Sequence, residues 1–274
     1  MTFHCTAIGD SIQEIEGKLT RDCKTVSTWM KSNRLKLNPD KTHLLTIGTQ
    51  RKLSMLPHKL SVSMDGVMLQ ESGSGYECLL GCLVQPTLKW NYQVTSLLVK
   101  LKTRLGGLFH LQKICPFKIR KMIAEGIFNS TMNYCISLFG GMGKQNCNSI
   151  QILQNRAARF VCNLPPRTSR TELFTRVGWL TVNQMIRYHT LVLVYKIRRA
   201  NDPEYLAKHL CRDNRNQLIM IPKHTQALFD DSFCQRGSSH WNQLPFHLRT
   251  DPKLESFKIG LNKWIKEKVP QFLE

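Results

Sequence analysis

The sequence predicts an α+β chain with a short mixed part, residues 1–90, followed by a longer helical part, residues 91–274. Three observations carry that reading. Apolar residues recur at helical spacing from Ile12 to Met30 and again over most of the chain beyond Trp90. Residues 59–70 alternate apolar and polar on both sides of Asp65-Gly66, which is a hairpin signature. No repeat of fixed period breaks either part.

The first helix is set by its start and its face. Asp10 and Ser11 are good N-caps, and Gln13 and Glu14 follow three residues on as capping-box partners. Ile12, Ile15, Leu19, Cys23, Val26 and Met30 then form one stripe that ends near Asn33. The "NPD" turn (38–40) leads into "THLLTIG" (42–48), an expected strand. The hairpin "KLSVSMDGVMLQ" (59–70) comes next. After the flexible "SGSG" (72–75), "YECLLGCLV" (76–84) reads as a third strand-like stretch. Beyond Trp90, amphipathic helices are expected over 92–113, 117–139, 147–163, 182–200 and 254–268. Ser169 with Glu172, Thr181 with Gln184, and Asp251 with Pro252 at the first helical position mark three helix starts. The last helix places Leu254, Phe257, Leu261 and Trp264 on one face.

Charge restricts the function class. The 274 residues carry 39 Lys and Arg against 19 Asp and Glu, a net +20. Such an excess points to a polyanionic partner, nucleic acid first and an acidic membrane surface second. No run of 18 apolar residues is present, so no bilayer span is expected. The N-terminal stretch lacks the basic-then-apolar pattern of a signal peptide. The ten cysteines are scattered without a CxxC pair, which fits reduced thiols and a cytoplasmic or nuclear protein that is not secreted. The charge is also uneven. Residues 1–75 hold 10 basic and 7 acidic side chains, whereas residues 78–171 hold 13 basic side chains and one acid, Glu125. The thirteen are Lys89, Lys100, Lys102, Arg104, Lys113, Lys118, Arg120, Lys121, Lys144, Arg156, Arg159, Arg167 and Arg170. A solvated face without compensating carboxylates repels itself unless a partner supplies negative charge.

Three motifs invite chemistry, and each has a plainer reading. "FGGMGKQN" (139–146) lacks the first Gly of a phosphate loop, where Leu138 stands, and has Gln145 where Ser or Thr would hold magnesium. It reads as a helix-ending loop. His209, Cys211, His224, Cys234 and His240 have no pair at the spacing that closes a structural zinc site, so no metal is expected. Asp230-Asp231 are adjacent carboxylates beside aromatics, as in two-metal polymerases, but they lie deep in the helical half without a third carboxylate nearby. They read as a loop or helix end.

"NRLKLNPDKTHLLTIG" (33–48) resembles the segment just downstream of the catalytic aspartates in reverse transcriptases of LINE-type (non-LTR) retrotransposons. There, a helix ending Trp-Met/Leu-x-x-Asn-x-Leu-x-Leu-Asn leads to Lys-Thr and a strand. Here the pattern is Trp29-Met30, Asn33, Leu35, Leu37-Asn38 and Lys41-Thr42. "LLGCLVQPTLKW" (79–90) looks like that family's Leu-Gly hairpin and trailing Leu-x-Trp of the primer grip, carried by Leu80, Gly81 and Trp90. The likeness continues through "LQNRAARFVC", "RVGWLTVNQMIRYHTLVLVYKI", "PEYLAKHL" and "GSSHWNQLP…LR…FKIGLNKWI", so that it spans essentially the whole chain.

The resemblance implies a division of labour. Residues 1–90 look like the last part of a polymerase palm, with short antiparallel strands. Residues 91–274 look like the helical thumb and the connection after it. A thumb grips the backbone of a duplex of RNA template and DNA primer without reading sequence. The residues implied are Lys89, Lys100, Lys102, Arg104, Lys113, Lys118, Arg120, Lys121, Arg156, Arg159, Arg167 and Arg170. Lys41 is implied beside the triphosphate, on the pyrophosphate side. The family's aromatic-x-Asp-Asp hairpin would precede residue 1, together with the fingers and the rest of the palm. The chain is therefore expected to be a fragment that binds template-primer, does not polymerise alone, and holds no cofactor; magnesium belongs to the parent polymerase. A helical nucleic-acid-binding or protein-interaction module derived from such an element is the alternative.

Overall fold

The computed structural model describes residues 4–36, 38, 41–71, 74–165, 167–211, 217–221 and 227–268. The chain separates into two compact units, Met1–Tyr92 and Gln93–Glu274.

In the first unit, helix α1 (Ile12–Ser32) starts where its caps dictate. The Ser11 side chain accepts from the Glu14 N–H, and a Glu14 carboxylate oxygen accepts from the Asp10 N–H at 3.1 Å. Ile12, Leu19 and Cys23 are buried, with Ile15, Val26 and Met30 packed beside them. The same core takes Leu44, Leu60, Val62, Met64 and Leu69 from the segments that follow. The predicted strand over 42–48 shortens to β1 (His43–Leu44), and a five-residue helix, α2 (Gln50–Ser54), follows it.

The Asp-Gly hairpin forms as β2 (Ser63–Met64) and β3 (Val67–Met68), antiparallel, with φ of 53° at Asp65 and 78° at Gly66. Two positive φ values match the twist of the strands they join, and that is what this dipeptide supplies. A further short strand, β4 (Gln70–Glu71), pairs with β1 in parallel rather than antiparallel as expected. The reason is topological: α2 and the hairpin lie between the two strands, and a crossover of that length permits a parallel return. The stretch 76–84 is not one strand but a second hairpin, β5 (Glu77–Leu79) and β6 (Cys82–Val84), turning at Leu80 and Gly81 with φ of 48° and 81°.

The second unit is helical, so the whole is an α+β protein in which helix dominates. Helix α3 (Asn91–Phe109) buries Val94, Leu97, Leu101, Leu105 and Leu108 along one stripe. The expected helix over 117–139 is interrupted. It runs as α4 (Phe117–Ala124), passes through a π-helical turn at Glu125–Asn129 and ends as α5 (Ser130–Asn133). The Arg104 side chain donates to the Ile127 carbonyl in that turn at 2.9 Å, and the Thr131 hydroxyl donates to the same oxygen at 2.7 Å. Helix α6 (Lys144–Cys162) begins three residues before the expected 147, and α7 (Arg170–Val177) starts at the Ser169 cap.

Helix α8 (Val182–Ala200) begins in a full capping box of Thr181 and Gln184. A buried amide network docks that start onto α6. Gln151 Oε1 accepts from the Val182 N–H at 2.9 Å, Gln151 Nε2 donates to Gln154 and Asn155, and Gln154 Nε2 donates to the Leu180 carbonyl at 2.9 Å.

Helices α9 (Glu204–Leu210), α10 (Ala227–Asp230), α11 (Phe233–Asn242), α12 (Phe246–Arg249) and α13 (Leu254–Lys268) complete the chain. The start of α13 differs from the expected one. Asp251 accepts from the Lys253 N–H at 2.9 Å, so Asp251 and Pro252 form the turn before the helix rather than its cap and first residue. Phe257, Leu261 and Ile265 of α13 are fully buried with Trp241, Leu191, Val194 and Tyr195. Tyr195 stacks on Phe257 with ring centroids 4.4 Å apart. Leu254 and Trp264 pack partly buried against this core.

Candidate nucleic-acid interface

Much of what stands out in the sequence turns out to hold the fold. The Trp29 to Leu35 pattern is a helix stop. Arg34 takes the left-handed conformation (φ 57°), the Leu35 N–H reaches the Met30 carbonyl at 2.8 Å, and the Arg34 N–H reaches Lys31 at 3.0 Å. This is the Schellman arrangement. Asn33 adds a side-chain donor to the Trp29 carbonyl at 2.8 Å. Leu37, Pro39 and Asp40 lie outside the described residues. Lys41 is exposed, and its N–H and the Thr42 hydroxyl both reach the Asn38 carbonyl, at 3.2 and 2.9 Å. The Leu80-Gly81 turn presents Leu80 to solvent at 71% exposure, and Trp90 is half-buried ahead of α3. Asp65 ties its hairpin to α1 through Lys31 (2.8 Å) and Ser27, and those hydrogen bonds hold its carboxyl below the usual range.

The tail motif "GSSHWNQLP" is structural in the same sense. A Cβ on Gly237 would come within 2.8 Å of Val194 Cγ2, so glycine lets α11 approach α8. Trp241 is 1% exposed, and its indole N–H donates to the Gln217 carbonyl at 3.1 Å. Asn242 exchanges two hydrogen bonds with the backbone of Ile219, at 2.8 and 3.0 Å.

The glycine-rich loop and the paired aspartates meet each other. A Cβ on Gly141 would lie 2.7 Å from the Asp231 carbonyl, and one on Gly140 would lie 2.6 Å from an Arg236 guanidinium nitrogen. Arg236 donates to the carbonyls of Asp231 and Ser137, both at 3.1 Å. The two stretches are one packed joint, with Asp230 at the end of α10 and Asp231 in the turn after it. These aspartates do not fit a two-metal site. Among the described residues no group of three or more His, Cys, Asp or Glu could hold a metal ion, and His224 of the imagined zinc set lies outside them. Nor, among the described residues, is any helix long and apolar enough to cross a membrane.

The cationic side chains divide into two kinds. Lys89, in the first unit, is exposed. In the second unit Lys100, Lys102, Arg104, Lys113, Lys118, Arg156, Arg167 and Arg170 are exposed, while Lys121 and Arg159 are half-buried. Lys100 and Arg104 share a flank of α3 at a four-residue spacing. Arg120 corrects the expectation of a phosphate contact. It is 8% exposed, and its guanidinium donates to the carbonyls of Val161 (3.0 Å), Gln112 (3.1 Å) and Cys115 (2.7 Å). Arg104 is exposed but already engaged by the π turn. Glu125, although exposed, is engaged within the fold, accepting from the Trp179 indole at 2.8 Å with Lys121 at 3.8 Å. Residues 78–171 hold no acid other than Glu125 to offset the exposed cations.

A second cationic group lies outside that stretch and goes unmarked in the sequence, because it forms between helices. Arg187 of α8 bonds the Gln243 side chain beside α11 and lies over the Trp264 ring at 5.1 Å. His240 of α11 has its pKa pushed down to about 3, chiefly by burial and further by Arg187 and Arg236. Burial also lowers both arginines.

Over 179 residues the chain is 27% identical to the probable RNA-directed DNA polymerase from transposon BS of Drosophila melanogaster. The chain carries a region related to a retrotransposon reverse transcriptase. The match takes in 64% of this chain and 19% of that protein, so the chain spans less than a fifth of its relative's length. No protein-family model matches the chain, and no solved structure matches it.

Proposed function

We propose that the chain is the part of a LINE-type retrotransposon polymerase that lies beyond the catalytic aspartates, and that it binds a template-primer duplex without polymerising alone. In this reading residues 1–90 are the end of the palm with a primer-grip-like hairpin at Leu80, Gly81 and Trp90, and the helices beyond are thumb and connection. The observation that carries it is the exposed cationic set between Lys100 and Arg170, whose one intervening acid, Glu125, is held by Trp179 and Lys121. Lysines and arginines on rigid helices are what backbone contacts to a duplex require, since phosphates position a protein without conveying sequence. Similarity to a transposon polymerase supports the duplex as the ligand. Lys41, exposed beyond the α1 stop, is assigned to the pyrophosphate side of the triphosphate in the complete enzyme. The partners are an RNA template with its DNA primer and the fingers and remaining palm of the parent polyprotein; magnesium would be held by residues of that other part. The reading is tested by titrating a labelled RNA-DNA duplex at several salt concentrations. Affinity that falls steeply with salt and ignores sequence is expected; salt-independent affinity would remove the phosphate contacts.

A further inference from the structure

Helices α8 and α11 face each other in a fixed antiparallel register. Arg187 bonds Gln243 at one end, and Gly237 packs on Val194, with Thr190 also beside it, toward the other. That register sets His240 opposite Thr190, one helical turn from Arg187. The polar atoms collected there are incomplete. Arg187 Nε, Thr190 Oγ1 and His240 Nδ1 are buried with no hydrogen-bond partner, as is Arg236 Nη1. Thr190 itself is 0% exposed. Arg187 and Arg236 are half-buried and form no ion pair with a carboxylate among the described residues, although the Asp231 charge acts on Arg236. The hydrogen bonds they do make go to neutral acceptors: Arg187 Nη2 to the Gln243 side chain, and Arg236 Nη2 and Nε to the carbonyls of Ser137 and Asp231.

Half-burying the Arg187 guanidinium with no opposite charge beside it is unfavourable, and orphaned buried donors are rare in native proteins. Both deficits are met by the same thing. We propose that Arg187, Thr190 and His240, with Arg236 adding charge, form a binding site for a phosphate-type oxyanion between α8 and α11. Arg187 and Thr190 donate N–H and O–H to the anion, and His240 donates from Nδ1 once protonated. Arg187 and His240 are only half-buried, so the anion enters from the edge that carries exposed Gln243. The charged groups that act on His240 are Arg187 from α8 and Arg236 from its own helix, and both oppose its protonation. A bound anion reverses that balance. None of its four residues belongs to the cationic set of residues 89–170, and the site does not depend on the polymerase reading.

The test uses the full chain in two buffers of equal ionic strength, one chloride and one inorganic phosphate. Melting temperature and the NMR titration of the His240 imidazole, assigned with His240→Gln, are both followed. At phosphate ten times its dissociation constant the melting temperature should rise by roughly 3–6 °C over chloride. The His240 titration midpoint should move upward in the same buffer. Arg187→Gln should abolish both effects, and Arg187→Lys should keep part of them. Equal melting temperatures and an unmoved His240 in the wild-type chain overturn the site, and this comparison decides even if Arg187→Gln does not fold. A short RNA-DNA duplex in place of phosphate identifies the source. If the duplex shifts His240, the site takes a backbone phosphate; if only inorganic phosphate does, it takes a free anion.

Discussion

Arg120 and Arg156 belong to one cationic stretch, yet only Arg156 keeps its charge at the surface. Arg120 cross-links three carbonyls, two from the loop before α4 and one, that of Val161, from the last turn of α6. Arg120→Met should therefore destabilise the chain by at least about 1–3 kcal/mol for each buried carbonyl left unpaired. It should leave the salt dependence of duplex binding unchanged. Arg156→Ala should do the reverse, lowering the log-log salt slope by about 1 while stability stays within about 0.5 kcal/mol. Urea unfolding and a salt titration on both variants separate the two roles, and interchanged results would refute the assignment. His240 gives a pH prediction. Its pKa is near 6.5 in the unfolded chain and about 3 when folded, because burial and two arginines penalise the imidazolium. Between those values the unfolded state takes up a proton that the native state refuses. The stability is thus fully present above about pH 6.5 and is lost as pH falls toward the folded value. Melting in phosphate-free buffer from about pH 7 to about pH 5, above the carboxylate range, should show this decline, flattened in His240→Gln. An unchanged slope in the variant would sink the attribution.

At the level of elements, most local signals are legible in the sequence, the Asp251-Pro252 start and the turn within 76–84 excepted, and pairings between distant segments are not. The Ser11, Ser169 and Thr181 starts are complete within four residues, and so is the turn at Asp65-Gly66; all four form as expected. The strand over 42–48 shrinks to two residues because its partner, β4, is itself two residues long and lies beyond a hairpin. The π turn at Glu125–Asn129 has no local signature, since what completes it is Arg104 from another helix. The candidate site divides likewise. Its cationic residues were legible as composition, whereas the employment of Arg120 and the meeting of Arg187 with His240 depend on packing. The amide network between α6 and α8 offers a test at this scale. Gln154→Leu keeps an apolar volume but leaves the buried Leu180 carbonyl without its donor, and should cost about 1–3 kcal/mol. Unfolding at the wild-type denaturant midpoint would show that the network contributes nothing net.

For the whole molecule the decisive quantities are salt dependence and chemistry. If about eight of the exposed cations touch phosphates, the log-log slope of duplex affinity against salt should be roughly −6 to −7. A slope near zero would leave the cationic face without a polyanion. The chemical prediction concerns the chain by itself. In a primer-extension assay with magnesium and all four nucleotides it should incorporate nothing. Two-metal phosphoryl transfer needs carboxylates that bridge both ions. In the one adjacent pair, Asp230 and Asp231, Asp231 is instead packed against Gly141 and Arg236 as a joint between α10, α11 and the loop before α6. Joined to the catalytic part of an intact polymerase of this type, the chain should take part in extension. There Lys41→Ala should lower turnover more than nucleotide affinity, because contact with a departing pyrophosphate strengthens toward the transition state. Asp230→Asn with Asp231→Asn should leave that turnover nearly unchanged, since the hydrogen bond from Arg236 goes to the Asp231 carbonyl, which the substitution keeps. Metal-dependent extension by the isolated chain, abolished by the double substitution, would instead make that joint a catalytic centre and overturn the proposed function.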